Sequence, residues 1–295
     1  MGTSQHSAAD SRAHARGDAG APGTAMDEAR LRGGHGQAGE PLLLVDHVRI
    51  SYRMRREVVT AVADACFEMR RHERLILIGP SGCGKSTLLK AIGGFHQPDA
   101  GTIRFDGRTD LAPGPDRAVV FQEFDQLFPW KTVLENVAYP LRVTGRDRAG
   151  ARERALEFLE MTGLGPAASR HPHELSGGMK QRVAIARALA LEPTMLLMDE
   201  PFGSLDAITR ARLQRELKRI AQRTRVAVFF VTHSIQEALM LADRIVVLSP
   251  PPSTVLEVVD VSDIDSPSDS RYLETQGRLH KMLGATDEDL PDVQG

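Results

Sequence analysis

The segment Leu75 to Thr87, LILIGPSGCGKST, constrains the fold of this chain more than any other. Leu75 to Ile78 form an apolar run of strand length with no polar alternation, so they read as a strand buried on both faces. They lead directly into Gly79-Pro80-Ser81-Gly82-Cys83-Gly84-Lys85-Ser86-Thr87, which fits GxxxxGKS, and Ser86 to Ile92 then reads as a helix. Glycines let the backbone curl until successive N–H groups face inward at phosphate oxygens, and the helix adds its positive N-terminal end. In such a loop Lys85 bridges the β- and γ-phosphates, Ser86 gives a hydroxyl to Mg²⁺ and Thr87 reaches the α-phosphate region.

A second apolar run, Met195 to Met198, ends in Asp199 and Glu200. Ligands of α/β sheets bind at the C-terminal ends of strands, and two acids delivered there can take different tasks. Asp199 suits a magnesium ion through its water shell, because hard cations take oxygen ligands. Glu200 suits the orientation and deprotonation of an attacking water. Around these anchors, Leu42 to Tyr52 and Val58 to Met69 read as strands, Thr102 to Phe105 as a strand turning at Asp106-Gly107, and Val119 to Gln122 as a strand edge. Between Leu134 and Arg170 the period is helical, with Ala155, Leu156, Phe158, Leu159 and Met161 spaced for a buried face. A helix at about Ala207 to Gln222, a strand at Val226 to Val231, a helix near Ile235 to Leu241 and a strand at Ile245 to Leu248 follow. Strands alternating with helices imply a mostly parallel sheet covered on both faces.

Composition narrows the function classes. With 37 basic against 39 acidic residues, nothing points to a nucleic-acid surface or a polybasic membrane anchor. The apolar runs are strand-length, whereas a membrane span needs ~20 residues. Two cysteines, Cys66 and Cys83, make no CxxC pair, so neither a disulfide framework nor a cysteine zinc site is suggested, and Cys66 reads as packing within a strand. Residues 1–40 are rich in Gly, Ala and His and nearly empty of large apolar side chains. They read as a disordered tail without the apolar segment of a secretory signal, and His6, His14 and His35 are spaced too irregularly for a metal tract. Residues 41–250 read as one domain with a helical insert at about 125–190, and residues 251–295, opening on Pro251-Pro252, as an extension with one helix at Ser268 to Gly284 and an acidic end.

Leu175 to Arg182, LSGGMKQR, opens a helix near Ser176, aiming the N–H groups of Gly177 and Gly178 and the Ser176 hydroxyl at an anion. With the glycine loop and the Asp199-Glu200 strand, this makes the stretch from Leu42 to Leu248 resemble the nucleotide-binding subunit of an ATP-binding-cassette (ABC) transporter. The resemblance implies an α/β P-loop NTPase fold with an antiparallel β subdomain and a helical signature subdomain, and ATP and Mg²⁺ as ligands. It implies Gln122 as the glutamine that reaches Mg²⁺ and the attacking water, His233 as the switch on the γ-phosphate, and Tyr52, 27 positions before Gly79, as the ring that stacks on adenine. It also implies that Ser176, Gly177 and Gly178 meet the γ-phosphate held by an opposite subunit. Two chains, in the simplest case identical, then pack head to tail around two ATPs, with Ser204-Leu205-Asp206 crossing the same interface.

Met179 stands where the commonest family form has Gln. Together with FQEFDQLFPWKTVLENV it looks like the nitrate, sulfonate and taurine importer branch. That implies ATP-driven uptake of a small anionic nutrient through separate transmembrane permease subunits, indirectly with a solute-binding protein and without nucleic acid. The chain then sits peripherally at the cytoplasmic face of the inner membrane. Phe128-Pro129-Trp130 reads either as part of the groove for a membrane subunit's helix or as local core packing. The alternatives are a soluble ABC ATPase of DNA repair or translation, and the ATPase of an importer or exporter for another solute. Against the first stand the single P-loop and the 53 positions from Gln122 to Leu175, few for a coiled-coil insertion.

Overall fold

A computed structural model describes residues 39–54, 57–122, 126–203, 205–264 and 266–284. The expected tail up to residue 38 with His6, His14 and His35, residues 123–125, Ser204 and the acidic end from residue 285 lie outside the described residues.

The parallel part of the sheet is built from β3 (Arg74–Ile78), β5 (Arg117–Val120), β6 (Met195–Asp199), β7 (Ala227–Thr232) and β8 (Arg244–Leu248). An antiparallel set, β1 (Leu43–Met54), β2 (Glu57–Met69) and β4 (Ala100–Phe105), lies beyond it. β9 (Ser253–Asp260) joins the two by pairing antiparallel with β8 and parallel with β2, giving the order β4-β1-β2-β9-β8-β3-β7-β6-β5. β9 falls in the stretch 251–295, for which the sequence suggests an extension with one helix and no strand. Val255, Val258 and Val259 nevertheless carry strand propensity and extend the sheet past residue 250. β5 also ends two residues earlier than expected, so Gln122 lies beyond the strand rather than in it.

Successive strand residues point to opposite faces, and each face has its own core. Ile76, Ile78, Leu196, Met198, Val228 and Phe230 pack on one side. Leu75, Leu77, Met195, Leu197, Phe229 and Val231 pack on the other. The second core is closed by Leu88, Leu89 and Ile92 of α1 (Lys85–Ile92) together with Phe67 and Phe105 of the antiparallel strands, so α1 is wedged between the two parts of the sheet. Truncating one of these buried leucines to Ala costs about 2–5 kcal/mol, which is why the loop before α1 has a rigid mount. The first core takes α2 (Val133–Val143), α3 (Arg148–Met161) and α4 (Gly177–Leu189) through Val137, Leu141, Phe158, Leu159 and Val183. It also takes α5 (Ala207–Thr224), α6 (Ile235–Leu241) and α7 (Ser270–Met282) through Leu217, Leu239 and Leu279. A capping box between Thr132 and Glu135 starts α2, and Asp147 starts α3, so the helical insert carries its own stop and start signals.

Candidate nucleotide site

Because β5, β6, β7 and β3 run parallel, their C-terminal ends lie along one edge. The glycine loop follows β3, Gln122 follows β5, Asp199 ends β6 with Glu200 next to it, and His233 follows β7. The sheet itself thus gathers residues that are more than a hundred positions apart.

In the loop, Gly82 and Gly84 take φ of 78° and 91°, the left-handed region that L side chains rarely adopt. Gly79 is needed for a different reason: a Cβ there would lie 2.6 Å from Cys83 Sγ. The α1 helix begins at Gly84 with no side-chain cap and no acid in its first turn, whereas the other six described α-helices each start on a capping Ser, Thr or Asp. Its N-terminal donors are therefore left for an anion. Lys85, 5% exposed, donates to the Gly79 and Pro80 carbonyls at 2.9 Å each, so its buried ammonium is held inside the loop. Ser81 is exposed at the loop's tip and Cys83 is fully buried, with its thiol pKa pushed up by that burial.

Ser86 Oγ donates to Asp199 Oδ1 at 2.8 Å. Burial raises the pKa of Asp199, opposed by that hydrogen bond and reinforced by the neighbouring charge of Glu200. A hydroxyl and a carboxylate at this separation form a hard oxygen pair that fits Mg²⁺. Glu200 has φ of 41°, and its N–H donates to Val231 O at 3.0 Å. Glu200 Oε2 lies 3.1 Å from His233 Nδ1. A Cβ placed on Gly203 would be 3.6 Å from Gln122 Nε2 and 3.7 Å from Glu200 Oε2, so amide and carboxylate face one backbone point. The arrangement can hold a divalent cation beside a phosphate and present a carboxylate base to water on its far side.

Tyr52 donates its hydroxyl to Thr87 Oγ1 at 2.9 Å, which ties β1 to the first turn of α1. Its ring stacks on His96, centroids 5.3 Å apart. No pattern in the sequence singles out His96; only the return of the chain after α1 brings it there.

Ser176 caps α4 by accepting from Met179 N at 3.4 Å, and Asp206 caps α5 by accepting from Thr209 N at 3.0 Å. The structure brings the loop, Gln122, Asp199, Glu200, His233 and Tyr52 to one edge, while among the described residues the Ser176 and Asp206 side chains are engaged in capping α4 and α5 rather than in hydrogen bonds to the loop. Gly178 is buried, and a Cβ there would meet Thr209 Cγ2 at 2.5 Å. Elsewhere, Phe128 packs between Tyr139 and Trp130 with the Arg187 guanidinium over its ring, at the rim of a groove of about 610 Å³ that also touches Phe95 and Phe121. Trp130 is 70% exposed, so core packing accounts for Phe128 but not for Trp130.

The family described as ABC transporter matches residues 62–203. The chain is 48% identical over 221 residues to the taurine import ATP-binding protein TauB of Rhizobium johnstonii, covering 75% of this chain and 84% of that protein. It is 46% identical to the nitrate import ATP-binding protein NrtC of Synechococcus elongatus, across 75% of this chain but only 33% of that longer protein. Among solved structures it is similar to the dimeric ATP-binding cassette MJ0796 in a post-hydrolysis state bound to ADP and Pi, with 33% identity, a TM-score of 0.66, and 74% of this chain and 98% of that one covered.

Proposed function

The chain belongs to the ABC transporter family, and on that premise we propose that it is the ATP-hydrolysing subunit of an importer for a small anionic nutrient, acting as a head-to-tail dimer beneath separate permease subunits. The observation that carries the ATPase reading is the uncapped start of α1 beside the Ser86–Asp199 pair, with the Glu200–His233 pair next to it. The names of the taurine and nitrate relatives support the solute class, and the dimeric cassette supports the assembly.

In this reading the N–H groups of the loop and Lys85 bind the phosphates, and Tyr52 stacks on the base. Ser86, Asp199 and Gln122 hold Mg²⁺, which supplies charge neutralisation on the phosphate oxygens. Glu200 orients the attacking water and accepts its proton, and His233 exchanges its contact with Glu200 for one to the γ-phosphate. Ser176 adds an O–H donor to the partner's γ-phosphate, since its hydroxyl uses only a lone pair in capping α4. Gly177, Gly178 and Asp206 complete that face. Gln122 lies where the sheet meets the helical insert, so loss of the γ-phosphate moves the insert and whatever is docked in the groove at Phe128. No helix among the described residues is long and apolar enough to cross a membrane, in keeping with a peripheral subunit whose solute path is formed by others.

The test is purification of the chain from membranes of cells expressing it with its neighbouring permease and solute-binding proteins. Co-purification with the permease, and ATPase activity stimulated by a liganded solute-binding protein, are expected. Stable association with ribosomes or DNA instead overturns the transport reading.

A further inference from the structure

Cys66 is 9% exposed, yet it belongs to neither apolar core; its neighbours Ala65 and Phe67 are the residues that point inward. It lies on the opposite face of β2, beside Asp46 and His47. β1 is bulged opposite it: Val45 pairs with Phe67 and Val48 with Ala65, so Asp46 and His47 together face the single residue Cys66. His47 takes φ of 48°, and β4 follows the distortion so closely that a Cβ on Gly101 would be 2.1 Å from the His47 carbonyl. A bulge turns two consecutive side chains toward the same side, which regular alternation forbids. As a result a carboxylate oxygen of Asp46, a ring nitrogen of His47 and the sulfur of Cys66 lie within 4.8 Å of one another. Asp64, two residues before Cys66 on β2, holds His47 Nδ1 at 3.1 Å. This histidine–carboxylate pairing fixes the ring and its tautomer at metal centres.

We propose that Asp46, His47 and Cys66 form a binding site for one borderline divalent transition ion of the Zn²⁺ class, with Asp64 orienting His47. The donor set is one sulfur, one imidazole nitrogen and one carboxylate oxygen, which suits Zn²⁺ and its substitute Co²⁺ and is poor for Mg²⁺, an ion that wants oxygen alone. Ligand atoms around a tetrahedral zinc sit roughly 3.5 Å apart, given bond lengths of about 2.0–2.3 Å. Closing around the ion therefore requires the three atoms to draw together by about 1 Å. Metal binding displaces the thiol proton to solvent and forms a Cys66 Sγ–metal bond, with no redox change. The site pins the β1 bulge to β2 on the sheet that carries Tyr52, and it is separate in residues and in ligand chemistry from the nucleotide site. Two cysteines without a CxxC pair gave no hint of it, because two of the three ligands are brought in by a backbone irregularity.

The test is a Co²⁺ titration of the full chain, nucleotide-free and without an affinity tag, read by absorbance. A thiolate-to-cobalt charge-transfer band saturating near one equivalent, competed away by Zn²⁺, is expected. Histidines of the chain outside this cluster cannot produce that band, since it requires a sulfur ligand. Cys66→Ser should abolish it and His47→Ala should weaken binding at least tenfold, while Cys83→Ser keeps it. Circular dichroism checks that each variant folds, and the His47→Ala result stands if Cys66→Ser does not fold. Absence of the band in the wild-type chain, or its loss in Cys83→Ser with retention in Cys66→Ser, overturns the assignment.

Discussion

Gly178 has two candidate reasons to be glycine, contact with a partner's nucleotide and close approach of α5, and they separate experimentally. A Cβ on Gly178 would lie 2.5 Å from Thr209 Cγ2, where carbon atoms pack at about 3.5–4.0 Å. The overlap is thus roughly 1–1.5 Å, while the next neighbours, Leu213 Cδ1 at 3.8 Å and Leu205 Cδ2 at 4.0 Å, are ordinary contacts. Thr209 yields poorly because it is β-branched and its N–H is tied to Asp206. Overpacking of this kind costs about 1–3 kcal/mol, and Ala over Gly in a helix returns at most about 1 kcal/mol. Gly178→Ala should therefore destabilise the nucleotide-free chain by roughly 1–2 kcal/mol. Thr209→Ser removes Cγ2 and keeps the hydroxyl, so in the double variant that loss should disappear. Urea unfolding of the wild type, both single variants and the double variant measures the coupling directly. The packing reason fails if Gly178→Ala is as stable as wild type, or if Thr209→Ser leaves its deficit unchanged. ATPase rates of the same four proteins then report separately on the nucleotide-contact reason.

Three further outcomes follow from the site. Glu200→Gln keeps the side chain's shape and the backbone bond to Val231 but loses the base, so kcat should fall roughly 10²–10⁴-fold while ATP still binds and closed dimers accumulate on size exclusion; near-normal turnover removes Glu200 from that role. Cys83 is fully buried with a raised thiol pKa, so maleimide labelling should be slower than for a free cysteine by at least about tenfold, speed up with pH and stop with bound ATP; fast labelling at neutral pH, or no protection by ATP, contradicts the loop geometry. For Asp199 the folded-state pKa is raised, so its charged form opposes folding once pH exceeds that pKa. Asp199→Asn should accordingly raise the melting temperature of the nucleotide-free chain at neutral pH, with the gain fading as pH falls through the raised pKa, and should abolish Mg²⁺-dependent hydrolysis; a gain that persists in acid would show that desolvation of the charge is not its cause.

The sheet's parallel strands and the loop were legible because each is a short apolar run next to a residue pattern with a mechanism, as at Ile78-Gly79 and Met198-Asp199. Their convergence was legible too, since parallel strands put every C-terminal end on one edge. What escaped was whatever depends on where the chain returns. β9 hid behind Pro250 to Pro252, and His96 reaches Tyr52 only through the turn after α1. The Asp46–His47–Cys66 cluster needs a left-handed residue in mid-strand, and His47 gives no local signal for it. Gly178 is the opposite case: the sequence offered a reason for it, and the structure adds a second one in the contact with Thr209.

The hydrogen bonds of the site also bear on how hydrolysis is gated. An unpaired buried ammonium would cost several kcal/mol, so Lys85 is satisfied by two loop carbonyls, and this keeps the loop open in the shape a phosphate needs. The Tyr52 hydroxyl donates to Thr87 Oγ1. Glu200 Oε2 and His233 Nδ1 lie 3.1 Å apart, so the proposed base and the proposed switch share one contact. On those roles, the group able to draw His233 away is the γ-phosphate, and its arrival frees Glu200 for water at the moment a substrate is present. In the proposed head-to-tail dimer the donors of Ser176 and Gly177 come from the second chain, so release of the base and closure of the dimer would depend on the same phosphate. On that proposal hydrolysis would run only as fast as two copies close, which would make closure, the motion a membrane partner can use, a step of the chemistry itself.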